Sequence, residues 1–451
     1  MKIKLISSTS FLFFALLIIL FPKLLKAQLS PSGKFRNYNA ILTSGNQEYL
    51  TGRNRLTLDI DAPVSSGTVF ISNQILNTYT DSLNSLSYEL KEAYVDLYFQ
   101  SIDLRIGKQV IAHGRADGVF ITDILTPLDL SEFLTKPIDL MRSGITSLKA
   151  TRYFGSNYIE LVLAPVFHSN ILAETNSRWS LFKQFKDDFS SFYIDSNLSE
   201  TKKLFQASTH FAFRNNINWN ADLFVMYWAN GNPAFAKELV VSGFIPTPVI
   251  QLHPQYSRRM ILAYSGNYIV SENFIVKSES ALHLNKPFDY LPQTIINTNL
   301  EELTPLQLNQ LAQNFQRNTD GFLKKKPWLI SMFGAQYKLH GWRLTGQIVN
   351  EHIFKYENIL LQKQNFSYAT LQLQRSFLRD KFQTSVFSRY NFPGNDLWMN
   401  PEASYEVSDE IEAGMGLHLF VGKEPDRFYG HFSFHDYKSN SFGYVRITAF
   451  F

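Results

Sequence analysis

Alternation with a period of two residues runs through this chain in segment after segment, and the segments come in pairs joined by tight polar turns. The stretch from Glu89 to Gly114 shows the unit best. Ala93, Val95, Leu97 and Phe99 alternate with Glu92, Tyr94, Asp96 and Tyr98; after a break, Ile102, Leu104 and Ile106 alternate with Asp103, Arg105 and Gly107. Such a period marks strands with two unlike faces. A two-residue turn at Gln100-Ser101 sets Asp96 directly opposite Arg105, so one face is apolar and the other carries an acid–base pair among tyrosines. Similar tight turns recur at 155–157, 215–216, 271–273, 340–341, 379–381 and 408–410, with much longer irregular segments between the hairpins. Short turns on one side and long loops on the other are the signature of an outer-membrane β-barrel, all-β, antiparallel and up-and-down.

The start of the chain agrees with export. Lys2 and Lys4 precede an apolar run from Phe11 to Phe21, and Ala27 stands before Gln28. Residues 1–27 therefore read as a Sec signal peptide, cleaved to leave a barrel over 28–451. The rival, an uncleaved anchor, would need about 20 apolar residues in a row. The absence of cysteine excludes a lipoprotein anchor and any disulfide. Aromatics make up 15% of residues and charged groups only 18%, which suits the aromatic girdles of a barrel. The net charge of +4 comes from scattered residues, so a nucleic-acid partner is set aside.

Alternation places strands at 34–44, 52–61, 66–77, 88–99, 102–114, 144–154, 158–168, 204–214, 217–229, 256–269, 273–285, 327–339, 342–354, 366–378, 381–392, 398–407, 411–422 and 441–451. These make about 18 strands, with 16 as the alternative, and an even number leaves both ends of the barrel on the side of the tight turns. The strand 441–451 must then close the ring against 34–44. Its outward residues are Val445, Ile447 and Phe451, and Arg446 points inward. An aromatic-rich alternating strand ending in Phe resembles the insertion signal read by the outer-membrane assembly machinery. Arginine at 447 should cost roughly 2–4 kcal/mol at the bilayer midplane and much less at 448.

The long segment from Arg115 to Ser143 is too apolar to lie fully in water, and either folds into the barrel mouth or packs across the loop tops. In another, Thr304, Pro305 and Gln307 form the start of a helix with a capping box, and Leu308, Leu311, Ala312 and Phe315 its apolar face.

The residues EAYVDLYF, followed by LRIGKQVIAHGRADGVFITDILTPLDLSEF, resemble the fingerprint of a porin-like outer-membrane barrel family of Gram-negative bacteria, catalogued as a domain of unknown function. The match is dense over Glu92 to Phe133. His113 stands where that family usually has an aromatic residue, most often Trp, before the glycine. The resemblance implies a barrel and transport, without a substrate.

The polar face, assigned to the lumen, puts Glu92, Tyr94, Asp96, Asp103 and Arg105 inside. Lys149 and Glu160, Lys277 and Glu279, Glu402 and Glu406, and Arg446 join them. Such a wall either selects solutes or cross-braces the barrel. Strict alternation turns Lys108 toward lipid; a bulge at Gly107 would bring it to the lumen and turn His113 outward. Catalysis has little support: there is no GxSxG, no HExxH and no metal-ligand spacing, and Asp117 and Asp123 do not match a calcium loop. No cofactor is implied. The first reading is a channel or selective porin for an unknown small solute, set in the outer-membrane lipid bilayer. The alternatives are a transporter of hydrophobic or amphipathic compounds, motivated by the apolar loop stretches 115–143 and 235–249, and a loop-presenting surface or adhesion protein.

Overall fold

A computed structural model of the chain describes residues 29–44, 48–80, 84–180, 192–194, 200–215, 218–242, 247–290, 303–318, 320–423 and 433–451. The expected signal peptide, residues 1–27, lies outside the described residues.

Eighteen antiparallel strands form one closed barrel. They are β1 (Ser30–Leu42), β2 (Tyr49–Val64), β3 (Gly67–Tyr79), β4 (Asn84–Tyr98), β5 (Ile102–Gln109) and β6 (Ile145–Phe154). Then come β7 (Asn157–Ala164), β8 (Gln206–Asn215), β9 (Trp219–Ala229), β10 (Arg258–Ser271), β11 (Phe274–Asp289) and β12 (Leu323–Leu339). The last six are β13 (Trp342–Ile353), β14 (Asn365–Phe377), β15 (Phe382–Asn391), β16 (Asp396–Ser408), β17 (Ile411–Val421) and β18 (Phe442–Phe450). Each pairs with the next, and β18 returns to β1 from Lys34 opposite Phe450 to Leu42 opposite Phe442. Closure gives every strand two partners, so no edge is left with unpaired backbone groups. All 18 alternating segments of the sequence correspond to these strands.

The period-two pattern sorts side chains as β9 illustrates. Leu223, Val225 and Tyr227 face outward at 41–45% exposure, whereas Asp222, Phe224, Met226 and Trp228 on the other face are at most 4% exposed. On β18, Val445 and Ile447 are outward and exposed, as is Phe451 just beyond it, while Tyr444 and Thr448 are buried inside. Thr448 is fully enclosed and its hydroxyl accepts from Arg36 Nε at 3.3 Å, so the expectation that arginine would be tolerated there is overturned by lack of room and by that neighbouring cation. Among the described residues no helix is long and apolar enough to cross a membrane.

The organising hairpin has the expected register, Asp96 opposite Arg105 and Leu97 opposite Leu104. Its bulge lies elsewhere. The ladders of β5 run unshifted through Gly107 on both sides, and the irregularity is on β4 at Lys91, where Ser72 pairs with Glu92 but Asn73 with Leu90. Lys108 thus stays on the face of Ile106, opposite that of Arg105 and Gln109, contrary to expectation. Its ammonium donates to the Leu90 carbonyl beside the bulge at 2.5 Å, which gives the charge a partner without entering the lumen.

The helix spans Pro305–Arg317, and the capping box between Thr304 and Gln307 is formed. Phe315, with Leu311 and Ala312, packs against a loop hairpin of Ala234–Ser242 and Thr247–Gln255 through Leu239, Ile250 and Leu252, and Leu308 is buried too. This cap sits on the side of the long loops.

The lumen and the segment folded into it as a candidate functional site

At Gln109, the last residue of β5 paired in the ladder, the chain leaves the wall and turns inward. The N–H of Val110 goes to Glu92 Oε1 (2.7 Å) and that of Ile111 to the Thr126 hydroxyl (2.9 Å), instead of to a neighbouring strand. Residues 110–144 then cross the barrel interior, because they touch the inner faces of strands on its far side. The pivot is Glu279 on β11, 1% exposed. Its carboxylate accepts from the backbone N–H groups of Arg115 (2.8 Å), Ala116 (3.0 Å) and Thr122 (2.8 Å), and from the Thr122 hydroxyl (2.7 Å). Gly114 makes this wrap feasible. It has φ +90°, and a Cβ there would stand 2.7 Å from Glu279 Oε1.

Arg115 extends the attachment, donating to Asp222, to Asn267 Oδ1 (2.7 Å) and to Ser265 Oγ (3.0 Å). Lys277 Nζ donates to Asp117 Oδ2 at 2.8 Å, and the Asp117 N–H donates to Gln347 Oε1 at 2.9 Å. Within the segment Asp123 pairs with Arg142; burial, the dominant influence, raises the Asp123 carboxyl against the pull of that guanidinium. For Asp129 burial again opposes ionisation, but the Lys136 ammonium at 2.5 Å outweighs it and lowers the carboxyl below its usual range.

Apolar matching fixes the side on which the segment lies. Ile111, Val119, Ile121 and Leu125 pack on Phe224, Met226, Ile261, Ile330 and Val349, in one buried cluster lined by β6, β7 and β9–β14. Farther along, Phe133 stacks on Tyr437 at 4.3 Å and joins Trp179, Trp398 and Phe420 in a second, aromatic cluster.

The opposite arc is left open. A cavity of about 510 Å³ lies between the segment and β14–β18 with β1–β2, lined by Arg36, Tyr38, Arg53, Arg55, Trp398 and Tyr444 among others. Toward the tight turns a second cavity of about 430 Å³ is lined by Arg343, Gln374, Arg375, Ser404 and Glu412. Glu402 and Arg446 line both. Arg446 bridges Glu402 Oε1 (2.7 Å) and Glu412 Oε1 (3.1 Å) at that junction.

Charge is unbalanced in the first cavity. Arg36 and Arg55 are direct cross-strand partners, an arrangement that repels. Among the described residues neither has an ion-pair partner; the side chain of Arg36 donates to Thr448 and that of Arg55 to Gln74 Oε1 at 2.8 Å. Arg53 is matched by Glu132 of the inturned segment at 2.7 Å.

The other sequence-selected residues are placed as follows. Arg105 donates two bonds to Asp96 (2.7 and 2.8 Å) and lies 3.9 Å over the Tyr94 ring. Asp103 stands across from Tyr98 near the turn. Lys149 Nζ is 3.6 Å from Glu160 Oε2. Glu406 is exposed and opposite Glu412. His113 is corrected: it points inward, its Nε2 3.0 Å from Glu160 Oε1, because alternation ceases to apply once the chain has left the wall. Sequence reasoning did not single out the cross-strand arginines Arg36 and Arg55; two like charges at matched positions of neighbouring alternating strands were the available signal.

Comparison with solved structures agrees with this geometry. OccAB1 of Acinetobacter baumannii superposes with a TM-score of 0.53 at 8% identity, over 94% of this chain and 95% of that one. OccAB2 of the same organism gives 0.52 at 6%, over 94% and 98%. The likeness extends over the closed, 18-stranded antiparallel barrel. At such identity the likeness is one of fold alone. No protein-family model matches the chain, and no curated protein does.

Proposed function

We propose that this protein is an outer-membrane porin-like channel for small solutes, narrowed by residues 110–144 and selective for anions. The carrying observation is the pair of cavities that share Arg446 and Glu402, one under the inturned segment and the other opening toward the tight turns. In the first cavity a solute from the long-loop side meets the aromatic surface of Tyr38, Trp398 and Tyr444, with Arg36 and Arg55 deeper, toward the tight turns. It passes Arg446 and leaves beside Arg343. The two unpaired guanidiniums offer forked donors to a carboxylate or phosphate, and the rings offer a flat apolar surface to its body. In this reading Tyr94, Asp96, Asp103, Arg105 and Lys149 brace the wall, and Glu92 holds the root of the inturned segment.

The same reading has the tight turns facing the periplasm and Val445, Ile447 and Phe451 serving membrane insertion. It treats the resemblance over Glu92 to Phe133 as the mark of one porin-like family, and assigns the chain no enzymatic step. The alternative of a carrier for apolar compounds loses its motive, because Ile121, Leu125, Phe133 and Leu239 from the apolar loop stretches are buried in clusters.

Purified protein in a planar bilayer should give stepwise conductance, with a reversal potential in a salt gradient that reports anion preference. Absence of conductance in the wild type and in a Glu279→Ala variant with a released segment would overturn the channel reading; cation preference would overturn the assignment to anions.

A further inference from the structure

A cluster on the filled side has no part in that permeation route. His113 at the root of the inturned segment, Glu160 on β7 and His210 on β8 each offer one donor atom, and the three atoms lie within 4.8 Å of one another. His113 Nε2 is 3.0 Å and His210 Nδ1 3.9 Å from the same atom, Glu160 Oε1. The three side chains are 9%, 5% and 9% exposed for His113, His210 and Glu160.

The tautomer of His210 can be worked out. Its Nε2 is 2.8 Å from Asp222 Oδ1, and Asp222 is also held by Arg115 and by Arg214 Nη2 at 2.8 Å. A carboxylate in such company accepts, so Nε2 carries the hydrogen and Nδ1 bears the lone pair in the neutral ring. That Nδ1 is buried and makes no hydrogen bond. It faces Glu160 Oε1, another acceptor, and a cation shared between them would reconcile the two. Phe224, stacked on the His210 ring at 4.4 Å, keeps the surroundings apolar.

We propose that His113, Glu160 and His210 form a transition-metal site of the zinc class, two imidazoles and one carboxylate, with an open fourth position. Bonds of about 2.0–2.2 Å in a tetrahedral site put neighbouring ligand atoms roughly 3.3–3.6 Å apart, a range bracketed by the 3.0 and 3.9 Å from Glu160 Oε1 to the two imidazoles. Asp222 is the positioning residue, the carboxylate that orients a metal-binding imidazole through its far nitrogen. Lys149 neutralises Glu160 Oε2 and leaves Oε1 for the ion. For Nε2 of His113 to bind the ion, the hydrogen that it shares with Glu160 moves to Nδ1 of the same ring. The ion would tie the start of the segment to two wall strands. The inference does not depend on the channel reading, since it concerns occupancy and not permeation.

The test uses the full barrel, folded in detergent, stripped with a chelator and titrated with Co²⁺ and then Zn²⁺. One equivalent of Co²⁺ should produce the strong visible bands of a tetrahedral site, and Zn²⁺ should bleach them. His210→Gln and Glu160→Gln should abolish the bands, and Asp222→Asn should weaken binding about 10- to 100-fold. His113→Gln lies on the segment and not on a strand, so it should abolish binding while the barrel keeps its heat-modifiable gel migration. No saturable band in folded wild type, or unchanged affinity in folded His113→Gln, would overturn the site; so would a His210 that NMR finds doubly protonated at neutral pH with Co²⁺ present.

Discussion

The two halves of the barrel interior are made from the same alternating strands and yet differ in kind. Along β6, β7 and β9–β14 the inner face carries a continuous cluster of Val, Ile, Met, Phe and Trp among its polar groups, and Ile111, Val119, Ile121 and Leu125 pack on it. Along β14–β18 and β1–β2 they are arginines, carboxylates and aromatics around a cavity of about 510 Å³. A sheet whose outer face meets lipid would ordinarily need water or polar side chains inside. Here one arc carries an apolar patch on its inner face as well as its outer one, which is stable only while another part of the chain lies against it. The difference teaches why the segment lies to one side: apolar area draws it to one arc, and Glu279 fixes its height there.

Removing that fixation should have the largest effect. Glu279→Ala leaves three backbone N–H groups and a hydroxyl without their charged acceptor, a loss of more than about 3 kcal/mol given roughly 1.5–3 per bond to a charged group. Residues 110–144 should become cleavable by added protease, and single-channel conductance should rise severalfold. Unchanged conductance with an intact segment would break the distinction between a filled and an open arc. Next is Ile447→Arg on the outer face of β18, which should cost about 2–4 kcal/mol if the residue sits at the bilayer midplane. Ser404→Arg, lining the turn-side cavity, should cost much less, as read from urea midpoints in lipid vesicles. Equal losses would mean that inside and outside are wrongly drawn.

Arg36→Ala together with Arg55→Ala should leave the barrel intact, since removing mutual repulsion offsets the two lost hydrogen bonds. Anion preference should fall severalfold by reversal potential. The same measurement on Ile121→Ala, in the filled arc, should show no change in selectivity. Lys34→Ala should have the least consequence. Its partner Asp139 is 3.3 Å away but both are substantially exposed, and such pairs contribute about 0–1 kcal/mol.

The division between what could and could not be read from the residues follows the range of the forces. Strand number, the Asp96–Arg105 pairing and the capped helix at Pro305 depend on neighbours or on a fixed period, and all were legible. The inward path of residues 110–144 depends on Glu279, more than 150 residues from Arg115. The bulge was misassigned for a related reason. Gly107 was the obvious irregular residue, but the extra one is Lys91, which has no turn-forming character. His113, Glu160 and His210 follow one another at intervals of about fifty residues, so no local spacing could announce them.

The pairing of β1 with β18 has a consequence for how such a chain must be handled before it is folded. Arg36 and Thr448 touch across 412 residues of sequence. Until β18 exists, β1 has one partner and a bare row of N–H and C=O groups, the template on which other strands add. The entropy of closing so long a loop grows only slowly with its length, so the difficulty is less one of free energy than of waiting. Contacts this distant in sequence form late. Throughout that interval the amphipathic hairpins already made would present an apolar face with no lipid against it. Until β18 arrives, the free edge of β1 can satisfy its backbone groups only with water or with a strand that is not its final partner.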